Sequence, residues 1–395
     1  MKKSIKELDV KGKKVLLRLD LNVPLNKTTG EISDDTRIME SLSTINYLCE
    51  NGAKLIICSH LGRPDGKVDK KYSLKVVADR LGMILKNKVT FAEDTIGKDA
   101  KEKVKAMEEG EIVLLENLRF DAREEENDEK FCKELASLAE IYVNDAFGTA
   151  HRKHASTYGV AKLLPNAVGF LMSKEIKVIN QILEAPQKPF VAILGGAKIK
   201  DKIPVIENLI NKADAILVGG GMAYTFQKAL GGKIGTSLVD DEKLELAKEL
   251  MEKAKKNNVE FIIPVDTLCA KEFSNDSKAK KFPAQEIPDD YMGMDIGPKT
   301  VKIFKKYIKN AGTIVWNGPL GVFEFKNFAK GTNKIAKAIG KTKAFSFIGG
   351  GDSASAVIKS GYAKEVSHIS TGGGASLNML EGKVLPGVDI IEDVK

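Results

Sequence analysis

Short apolar runs rich in β-branched residues recur along the chain, separated by longer stretches with helical periodicity. In the first half the runs are 15–21, 54–60, 88–92, 111–120 and 141–147, and in the second half 190–196, 215–221, 260–266, 313–319, 344–351 and 368–374. Strands that are apolar on both faces and alternate with amphipathic helices, such as 244–256, are typical of parallel sheets covered on both sides. The pattern predicts an α/β chain with one doubly wound parallel sheet in each half.

The segment 164–190 between the two halves has a different character. Its middle has the periodicity of a single helix, and Pro165, Pro186 and Pro189 bracket it. Because proline interrupts helices, we expect a rigid connecting helix with hinges at its ends. The resulting divisions are a first domain over 1–170, a helix over 171–185 and a second domain over 186–375. Ligands of such sheets bind beyond the carboxyl ends of the strands, so two Rossmann-like domains are expected to face each other across a cleft.

Composition narrows the classes of function. The chain has 395 residues, of which 43% are hydrophobic and 29% charged, and it shows neither a membrane-length apolar run nor a secretory leader. This predicts a cytoplasmic protein without a membrane partner, and four cysteines without metal-ligand spacing suit a reducing compartment. The net charge of +8 permits an anionic partner. With only 6% aromatic residues, however, the chain lacks the stacking groups of a nucleic-acid surface, and no nucleic-acid partner is required.

Arginine is unevenly distributed. All seven arginines lie before residue 153, although lysine and arginine together number 62. Because a guanidinium group grips carboxylate or phosphate with a planar fork, arginine is needed where lysine does not suffice. Arg80 and Arg123 are expected on solvated helices, whereas the others lie beside strand ends.

The strand-end arginines occur together with histidines and predict a basic pocket. Its members are Arg37, Arg63, Arg119 and Arg152, with His60, His151 and His154. Such a pocket suits a small polyanion that carries both phosphate and carboxylate. The pair His151 and His154 lacks a cysteine or carboxylate at ligand spacing, which argues against a metal site.

Glycine clusters follow strands of the second half, at 194–196, 218–221, 348–351 and 370–374. Glycine has the largest backbone entropy cost on folding, so repeated clusters indicate a close approach to the main chain. At a strand-to-helix junction, free N–H groups and the helix dipole bind phosphate; the alternative for any one cluster is a tight turn. Neither a Walker A loop nor a GxGxxG fingerprint is present. The pattern therefore favours a nucleotide-phosphate domain of another design.

Charged residues near these clusters are candidates for nucleotide chemistry. Lys198 and Lys202 have i, i+4 spacing and could neutralise adjacent phosphates from one helix face. Asp352 is either a helix N-cap or a magnesium ligand reached through the phosphates. Glu324 is either a ribose acceptor or a surface glutamate.

With these residues assembled, the sequence resembles the phosphoglycerate kinase family over essentially its whole length. The matching motifs occur in order: RLDLNVP (18–24), DDTRI (34–38), SHLGRP (59–64), LLENLRF (114–120), YVNDAFGTAHRKHAST (142–157), LGGAKIKDKI (194–203), VGGGMAYTF (218–226), WNGPLGVFE (316–324), IGGGDSASA (348–356) and STGGGASL (370–377). The resemblance implies a glycolytic kinase that transfers a phosphoryl group reversibly from 1,3-bisphosphoglycerate to ADP, giving 3-phosphoglycerate and ATP, with Mg²⁺. It also implies that the final segment, 376–395, returns to the first domain. A monomer is expected.

The resemblance further implies roles for individual residues. The three-carbon substrate would be bound by Asp20, Leu21, Asn22, Arg37, His60, Leu61, Gly62, Arg63, Arg119 and Arg152. The nucleotide would be bound by Gly195, Gly196, Ala197, Lys198, Lys202, Gly219, Gly220, Gly293, Asn317, Pro319, Val322, Glu324, Gly350, Gly351, Asp352 and Ser353. Catalysis would depend on Arg37, Lys198, Lys202, Gly350 and Gly373, and Asp352 would face the metal. Ser353, Leu21 and Lys153 depart from the commonest family residues without putting the reaction in doubt.

The implied chemistry is consistent with the residues found. In the reverse direction the nucleophile is a carboxylate, already ionised at neutral pH, so no strong general base is needed. Catalysis would be positioning and cationic stabilisation of the transferring phosphoryl group. Because Arg37 and Lys198 belong to different domains, in-line transfer would follow a domain closure that also excludes water. The competing hypotheses are an acyl-phosphate kinase for acetate or carbamate, a dehydrogenase, and a non-catalytic polyanion-binding protein.

Overall fold

A computed structural model describes residues 2–394 of the chain. The chain forms two compact units. The first unit runs as far as Val178 and is completed by a segment that begins at Val384, and the second unit is Ile179–Lys383. Each unit has its own parallel sheet and its own apolar core. The expected α/β class with two parallel sheets is confirmed.

The first unit alternates strands with helices. Its strands are β1 (Lys14–Arg18), β2 (Lys54–Cys58), β3 (Val89–Phe91), β4 (Ile112–Leu114), β5 (Ile141–Asn144) and β6 (Asn166–Val168). Its helices are α1 (Thr36–Glu50), α2 (Lys75–Ile84), α3 (Lys98–Lys105), α4 (Arg123–Glu126), α5 (Glu129–Ala136) and the first part of α6 (Phe170–Glu184). Strand β2 is buried from Leu55 onward, because helices cover both faces of a parallel sheet.

The strands of the first sheet are all parallel and follow the order β3-β4-β2-β1-β5-β6. Lys14 of β1 pairs with Lys54 of β2, and Val15 pairs with Ile141 of β5. Strands β2, β3 and β4 lie on one side of β1, and β5 and β6 lie on the other, so the direction in which strands are added reverses between β1 and β5. Loops diverge at such a switch point and leave a crevice beyond the carboxyl ends of the strands.

The second unit has more strands than the apolar runs predict. Its strands are β7 (Phe190–Leu194), β8 (Ala215–Val218), β9 (Lys233–Ile234), β10 (Glu260–Ile262), β11 (Asp266–Ala270), β12 (Lys280–Pro283), β13 (Glu286–Ile287), β14 (Met292–Ile296), β15 (Thr313–Asn317), β16 (Phe345–Gly349) and β17 (His368–Ile369). Its helices, besides the rest of α6, are α7 (Ile203–Leu209), α8 (Ala223–Ala229), α9 (Leu244–Lys256), α10 (Pro298–Asn310), α11 (Lys330–Gly340), α12 (Gly351–Lys359) and α13 (Gly373–Leu380).

The main sheet of the second unit is also parallel, in the order β10-β8-β7-β15-β16-β17. Phe190 of β7 pairs with Thr313 of β15, and the strand order reverses between these two strands. The loops after β7 and β15 therefore occupy the switch point of this sheet.

A small antiparallel sheet, β12-β11-β14, and the strand pair β13-β9 were not predicted. The predicted strand 260–266 is wrong in its second half, since β10 ends at Ile262 and a new strand begins at Asp266. These strands are short and β12 is largely exposed, so they lack the continuous apolar run that signals a buried parallel strand.

Several predicted strands are longer than the observed ones. The run 111–120 contains only β4, after which Leu118–Phe120 forms a 3-10 turn. The side chain of Asn117 caps this turn by accepting a hydrogen bond from the N–H of Arg119. Apolar composition predicts burial in these runs, but a local polar cap turns the backbone away from the sheet.

The connecting segment forms α6, and the boundary between the units falls inside this helix. The segment from Val384 contains α14 (Pro386–Asp389) and joins the first unit. Asn144 donates a hydrogen bond to the carbonyl of Gly387 at 3.1 Å, and the N–H of Lys3 donates to the carbonyl of Glu392 at 2.8 Å. Within residues 2–394, no helix combines the length and apolar character needed to cross a membrane.

Candidate functional site

The first unit gathers polar side chains at the carboxyl ends of its central strands. Asp20 and Asn22 follow β1, His60 follows β2, and Arg119 follows β4. The side chain of Asn22 accepts a hydrogen bond from the N–H of Gly62 at 2.8 Å, which joins the loops after β1 and β2. Asp20 and Asn22 therefore lie at the switch point of the sheet, and His60 and Arg119 of the predicted basic pocket follow strands on one side of it.

Asn117 fixes the loop that carries His60 and Arg63. Its side-chain amide donates to the carbonyls of Leu61 at 2.7 Å and Tyr72 at 2.8 Å, and its oxygen accepts from the N–H of Leu61 at 3.3 Å. Arg119 donates to the carbonyl of Gly62 at 3.0 Å. A fully buried amide with these partners holds the loop rigid.

The predicted arginines differ in their surroundings. Arg37 forms an ion pair with Asp20. Arg119 and Arg152 both approach Glu125, with nitrogen–oxygen distances of 3.2 and 3.9 Å. Arg63 is exposed, and no contact within residues 2–394 engages its guanidinium group. Exposed or singly paired guanidinium groups can exchange their partners for those of an anionic ligand.

Other arginines and two predicted site residues have structural roles. Arg80 pairs with Asp35 and Arg123 with Asp121, as expected for solvated positions. Leu21 and Leu61 are buried in the apolar core of the first unit. Only the main chain of these two leucines is left to contribute to a binding site.

A buried network behind the pocket was missed by sequence reasoning. Arg18 is only 1% exposed; its Nε donates to the hydroxyl of Ser156 at 2.7 Å, and its Nη2 lies 3.2 Å from Nδ1 of His60. The hydroxyl and N–H of Ser156 donate to the carboxylate of Glu124 at 2.5 and 2.9 Å. Residue spacing carries no signal for this network, because α4 and a π-helical turn at Ala155–Gly159 meet β1 only in the folded unit.

Electrostatics keeps the histidines of this unit neutral. Burial, reinforced by Arg18, Arg119 and Arg37, holds the pKa of His60 well below its usual value. Burial and nearby guanidinium groups lower the pKa of His154 to about 3. Neutral imidazoles next to guanidinium groups can bind an anion through N–H donors without adding charge.

In the second unit, many of the predicted glycines are required by packing of the loops against one another. A Cβ at Gly195 would overlap the carbonyl oxygen of Pro319, and one at Gly220 would lie 2.7 Å from the main-chain nitrogen of Gly196. Gly220 and Gly318 also have φ of +67° and +94°, where glycine is favoured. The loops after β7, β8 and β15 therefore interlock through their backbones.

Two other glycines face open space. A Cβ at Gly351 would meet nothing within 4 Å, and one at Gly373 would meet only the main-chain nitrogen of Gly351 at 3.9 Å. Gly351 and Gly373 begin α12 and α13, so the first N–H groups of two helices lie side by side. This pair of helix N-termini is free of steric obstruction and suits a phosphate group.

Polar side chains connect these loops. Asn317 accepts a hydrogen bond from Lys202 and donates to the carbonyl of Gly349 at 2.9 Å. The N–H of Gly318 donates to the hydroxyl of Ser353 at 2.6 Å. Burial lowers the pKa of the Lys202 ammonium group. Lys198 is exposed, and no contact within the described residues engages it.

A cavity of about 550 Å³ lies beside the interlocked loops. The predicted nucleotide residues that line it are Gly196, Ala197, Gly220, Gly293, Pro319, Val322, Glu324 and Asp352. The remaining predicted residues, Gly195, Lys198, Lys202, Gly219, Asn317, Gly350, Gly351, Ser353 and Gly373, do not line it. This volume falls within the range of small-molecule sites.

Sequence reasoning missed the apolar wall of the cavity. The wall is formed by Leu238, Phe273, Met292, Met294 and Leu320. Met292 and Met294 belong to the small antiparallel sheet that was not predicted. An apolar wall opposite interlocked glycine loops can hold a flat aromatic base.

Within residues 2–394, no group of three or more histidine, cysteine or acidic side chains could hold a metal ion. Asp352 is exposed at the start of α12 and lines the cavity. A single carboxylate fits a magnesium ion that takes its other ligands from water and nucleotide phosphates, which is the usual coordination of Mg²⁺ with such substrates.

Two doubly wound parallel sheets, each with candidate site residues at its switch point, place the chain in the class of two-domain Rossmann-like α/β proteins. Comparison with known proteins narrows this class. Residues 5–383 match the family model described as phosphoglycerate kinase. The chain belongs to the phosphoglycerate kinase family.

Individual relatives agree with this assignment. The chain is 53% identical to a phosphoglycerate kinase of Clostridium botulinum, with 99% of each chain covered. It is 51% identical to that of Clostridium tetani, covering 99% of this chain and 98% of the relative. Among solved structures, phosphoglycerate kinase from Coxiella burnetii has a TM-score of 0.89 at 41% identity over 99% of this chain and 98% of that one. The enzyme from Pyrococcus horikoshii has a TM-score of 0.81 at 34% identity over 98% of both.

Proposed function

We propose that this chain catalyses the reversible transfer of a phosphoryl group from 1,3-bisphosphoglycerate to ADP, giving 3-phosphoglycerate and ATP. The observation that carries the proposal is the family membership together with two chemically distinct sites, one at the switch point of each sheet. One site is rich in guanidinium groups, and the other has an apolar cavity beside free helix N-termini.

The first unit, which contains the predicted domain 1–170, is proposed to bind the three-carbon substrate. Arg37 and Arg152 supply partly exposed cationic groups that are each paired with a carboxylate, and Arg63 supplies an exposed one. His60 lies on the loop that Asn117 holds in place, and the side chain of Asn22 is joined to that loop by the hydrogen bond from Gly62. Asp20, Gly62 and Arg119 complete the candidate set, while Leu21 and Leu61 would contribute main-chain atoms alone.

The second unit (domain 186–375) is proposed to bind ADP or ATP. The apolar wall would receive the adenine, and Glu324 would accept hydrogen bonds from the ribose. The open helix N-termini at Gly351 and Gly373 would bind the phosphates, with Lys198 and Lys202 as counter-charges. Mg²⁺, held by Asp352 and the phosphates, would neutralise the charge that develops on the nucleotide.

Transfer is proposed to follow closure of the two domains about the helix 171–185. Arg37 belongs to the first unit and Lys198 to the second, so a closed state would bring cations from both around the phosphoryl group. Closure would also exclude water and limit hydrolysis of the acyl phosphate. No general base is required, because the acceptor in either direction is an ionised oxygen.

The remaining expectations belong to the same proposal. The enzyme would act in the cytoplasm as a monomer, with no nucleic acid or membrane as partner. All four cysteines are free thiols and buried, which suits a reducing compartment.

The test is a coupled assay of ATP formation. Purified protein is given ADP, Mg²⁺ and 1,3-bisphosphoglycerate, with acetyl phosphate and carbamoyl phosphate in parallel reactions. The proposal expects ATP from 1,3-bisphosphoglycerate alone. Comparable ATP formation from acetyl phosphate would favour the acyl-phosphate kinase alternative, and no ATP from any donor would favour a binding protein. Small-angle scattering in the apo, binary and ternary states tests closure, which an unchanged curve would exclude.

A further inference from the structure

A buried chain of three polar side chains in the first unit ends at His60. Glu124 accepts hydrogen bonds from the hydroxyl of Ser156 at 2.5 Å and from its N–H at 2.9 Å. Arg18 donates from Nε to the same hydroxyl at 2.7 Å and places Nη2 3.2 Å from Nδ1 of His60. Glu124, Ser156 and Arg18 are each no more than 1% exposed.

The direction of every hydrogen bond in this chain is determined by chemistry. A guanidinium group has only donors, so Arg18 uses a lone pair of the Ser156 oxygen. The serine proton is then free to point only toward Glu124, whose two oxygens accept from Ser156. At the other end, Nδ1 of His60 faces a donor and must present its lone pair. The proton of the neutral imidazole consequently resides on Nε2.

The charged surroundings of His60 favour the same state. Arg18, Arg37, Arg119 and His154 act on the imidazole, and all of them oppose its protonation. No hydrogen bond within the described residues occupies Nε2 of His60, so this N–H remains available. Glu124 supplies the buried negative charge that acts on Arg18, although burial of the carboxyl group raises its own pKa.

We propose that Glu124 is a positioning residue: through Ser156 and Arg18 it orients His60 with the proton on Nε2, so that the imidazole presents an N–H donor to the three-carbon substrate. The inference rests on the proposed function of this unit. It assigns roles to Glu124, Ser156 and Arg18, none of which stands among the predicted site residues. Glu124 itself is proposed to touch neither the substrate nor the reacting atoms; it acts through Ser156 and the guanidinium group of Arg18.

Histidine nitrogen NMR tests the tautomer directly. The chain has only four histidines, so a ¹⁵N-histidine-labelled sample gives few resonances, and His60→Gln identifies the relevant set. We expect wild-type His60 to be neutral with the proton on Nε2, and the Nε2 resonance to shift when 3-phosphoglycerate is added. A His60 that is protonated on Nδ1, or on both nitrogens at neutral pH, overturns the proposal.

The variants Glu124→Gln and Ser156→Ala test the positioning role, and Glu126→Gln is the matched control. Glu124→Gln removes the charge and gives Ser156 a competing donor, whereas Glu126→Gln makes the same change at an exposed residue of the same helix. In Glu124→Gln we expect mixed His60 tautomers and a fall in kcat/KM for 3-phosphoglycerate of about ten- to a hundredfold, by analogy with the loss of a partner that orients a metal-binding histidine. The KM for ATP and the kinetics of Glu126→Gln should stay at wild-type values.

Ser156→Ala removes the link without changing the charge, and it replaces Glu124→Gln if that variant fails to fold. It should produce the same mixture of tautomers and the same selective loss. Wild-type tautomer and wild-type kinetics in both variants would refute the proposal. If the wild-type protein lacks kinase activity altogether, the proposed function fails; the NMR spectra with and without 3-phosphoglycerate still decide whether Glu124 positions His60.

Discussion

Replacing Gly318 with alanine should destabilise the second unit, whereas replacing Gly351 with alanine should leave its stability intact and weaken nucleotide binding. The two residues lie in adjacent loops, since the N–H of Gly318 donates to Ser353 in the helix that Gly351 begins. Gly318 has φ of +94°, and a Cβ there would overlap the carbonyl of Gly195. A Cβ at Gly351 would meet nothing within 4 Å.

The magnitudes follow from these geometries. Alanine in a left-handed conformation costs about 1–2 kcal/mol, and overpacking against a backbone that cannot easily move adds about 1–3 kcal/mol. Gly318→Ala should therefore lower the free energy of unfolding by about 2–5 kcal/mol. Gly351→Ala should leave this free energy unchanged or raise it by up to about 1 kcal/mol, because alanine favours helix. If its methyl group displaces one charge-assisted hydrogen bond to phosphate, the ADP affinity should fall about tenfold.

Fluorescence of Trp316 provides the stability assay. It is the only tryptophan of the chain, it is fully buried in the second unit, and its Nε1 donates to the carbonyl of Gly318 at 2.8 Å. Urea titration then reports on this unit without requiring the whole chain to unfold in one step. With an m-value of about 3 kcal/mol/M, a loss of 3 kcal/mol shifts the midpoint by about 1 M. Calorimetric titration with ADP gives the affinity of each variant.

The reasoning is refuted if the two variants behave alike. A Gly318→Ala midpoint equal to wild type would show that the loops after β7 and β15 are not tightly interlocked. Wild-type ADP affinity and turnover in Gly351→Ala would show that no phosphate occupies the open helix N-terminus. Gly361→Ala, at an exposed turn with φ of +80° and no neighbouring atoms, is the control for positive φ without overpacking.

Three further predictions concern charge and the terminal segment. Arg37→Ala should lower kcat by about a hundredfold or more in the coupled assay and leave the melting temperature nearly unchanged, because Arg37 is partly exposed; near-normal turnover would contradict its assigned role. Burial raises the pKa of Asp145 to about 6, from about 3.9 in the unfolded chain. The free energy of unfolding should therefore be highest below pH 4 and should fall by about 3 kcal/mol in all as the pH rises through 6. The stability difference between wild type and Asp145→Asn, measured by circular dichroism in urea at pH 4 and pH 7, should fall by about 2 kcal/mol, because part of the loss has already occurred at pH 4. A constant difference would contradict the shift. Truncation after residue 383 removes buried Leu385 and Ile391 and should destabilise the first unit by about 3–6 kcal/mol. Urea unfolding of the second unit, followed by Trp316 fluorescence, should not change, and an equal loss of stability in both units would contradict the division of the chain.

The sequence pattern alone was sufficient for the main architecture. Runs such as 190–194 and 313–317 are apolar throughout, and a strand buried on both faces of a parallel sheet has no other pattern available. The glycine clusters and strand-end arginines could also be located from the sequence, because parallel strands bring their carboxyl ends to one edge. The role of each individual glycine could not be predicted from the sequence. Gly195 is needed by a neighbouring loop and Gly351 by no neighbour at all, and that difference depends on which loops meet in space.

Other features were decided only by the tertiary structure. The strands β11 and β14 pair antiparallel across an irregular register, and the methionines that β14 places against the cavity carry no periodic signal. Leu21 lies between Asp20 and Asn22, yet its side chain belongs to the core. Arg18 and Glu124 are far apart in the sequence. Arg18 looks like an arginine at the end of a strand, and Glu124 is one of three consecutive glutamates, so neither indicates a buried partner. Sequence determines which elements form, because hydrophobic periodicity and local caps are short-range; it cannot by itself determine which buried polar groups become partners, because their energies depend on contacts between elements distant along the chain.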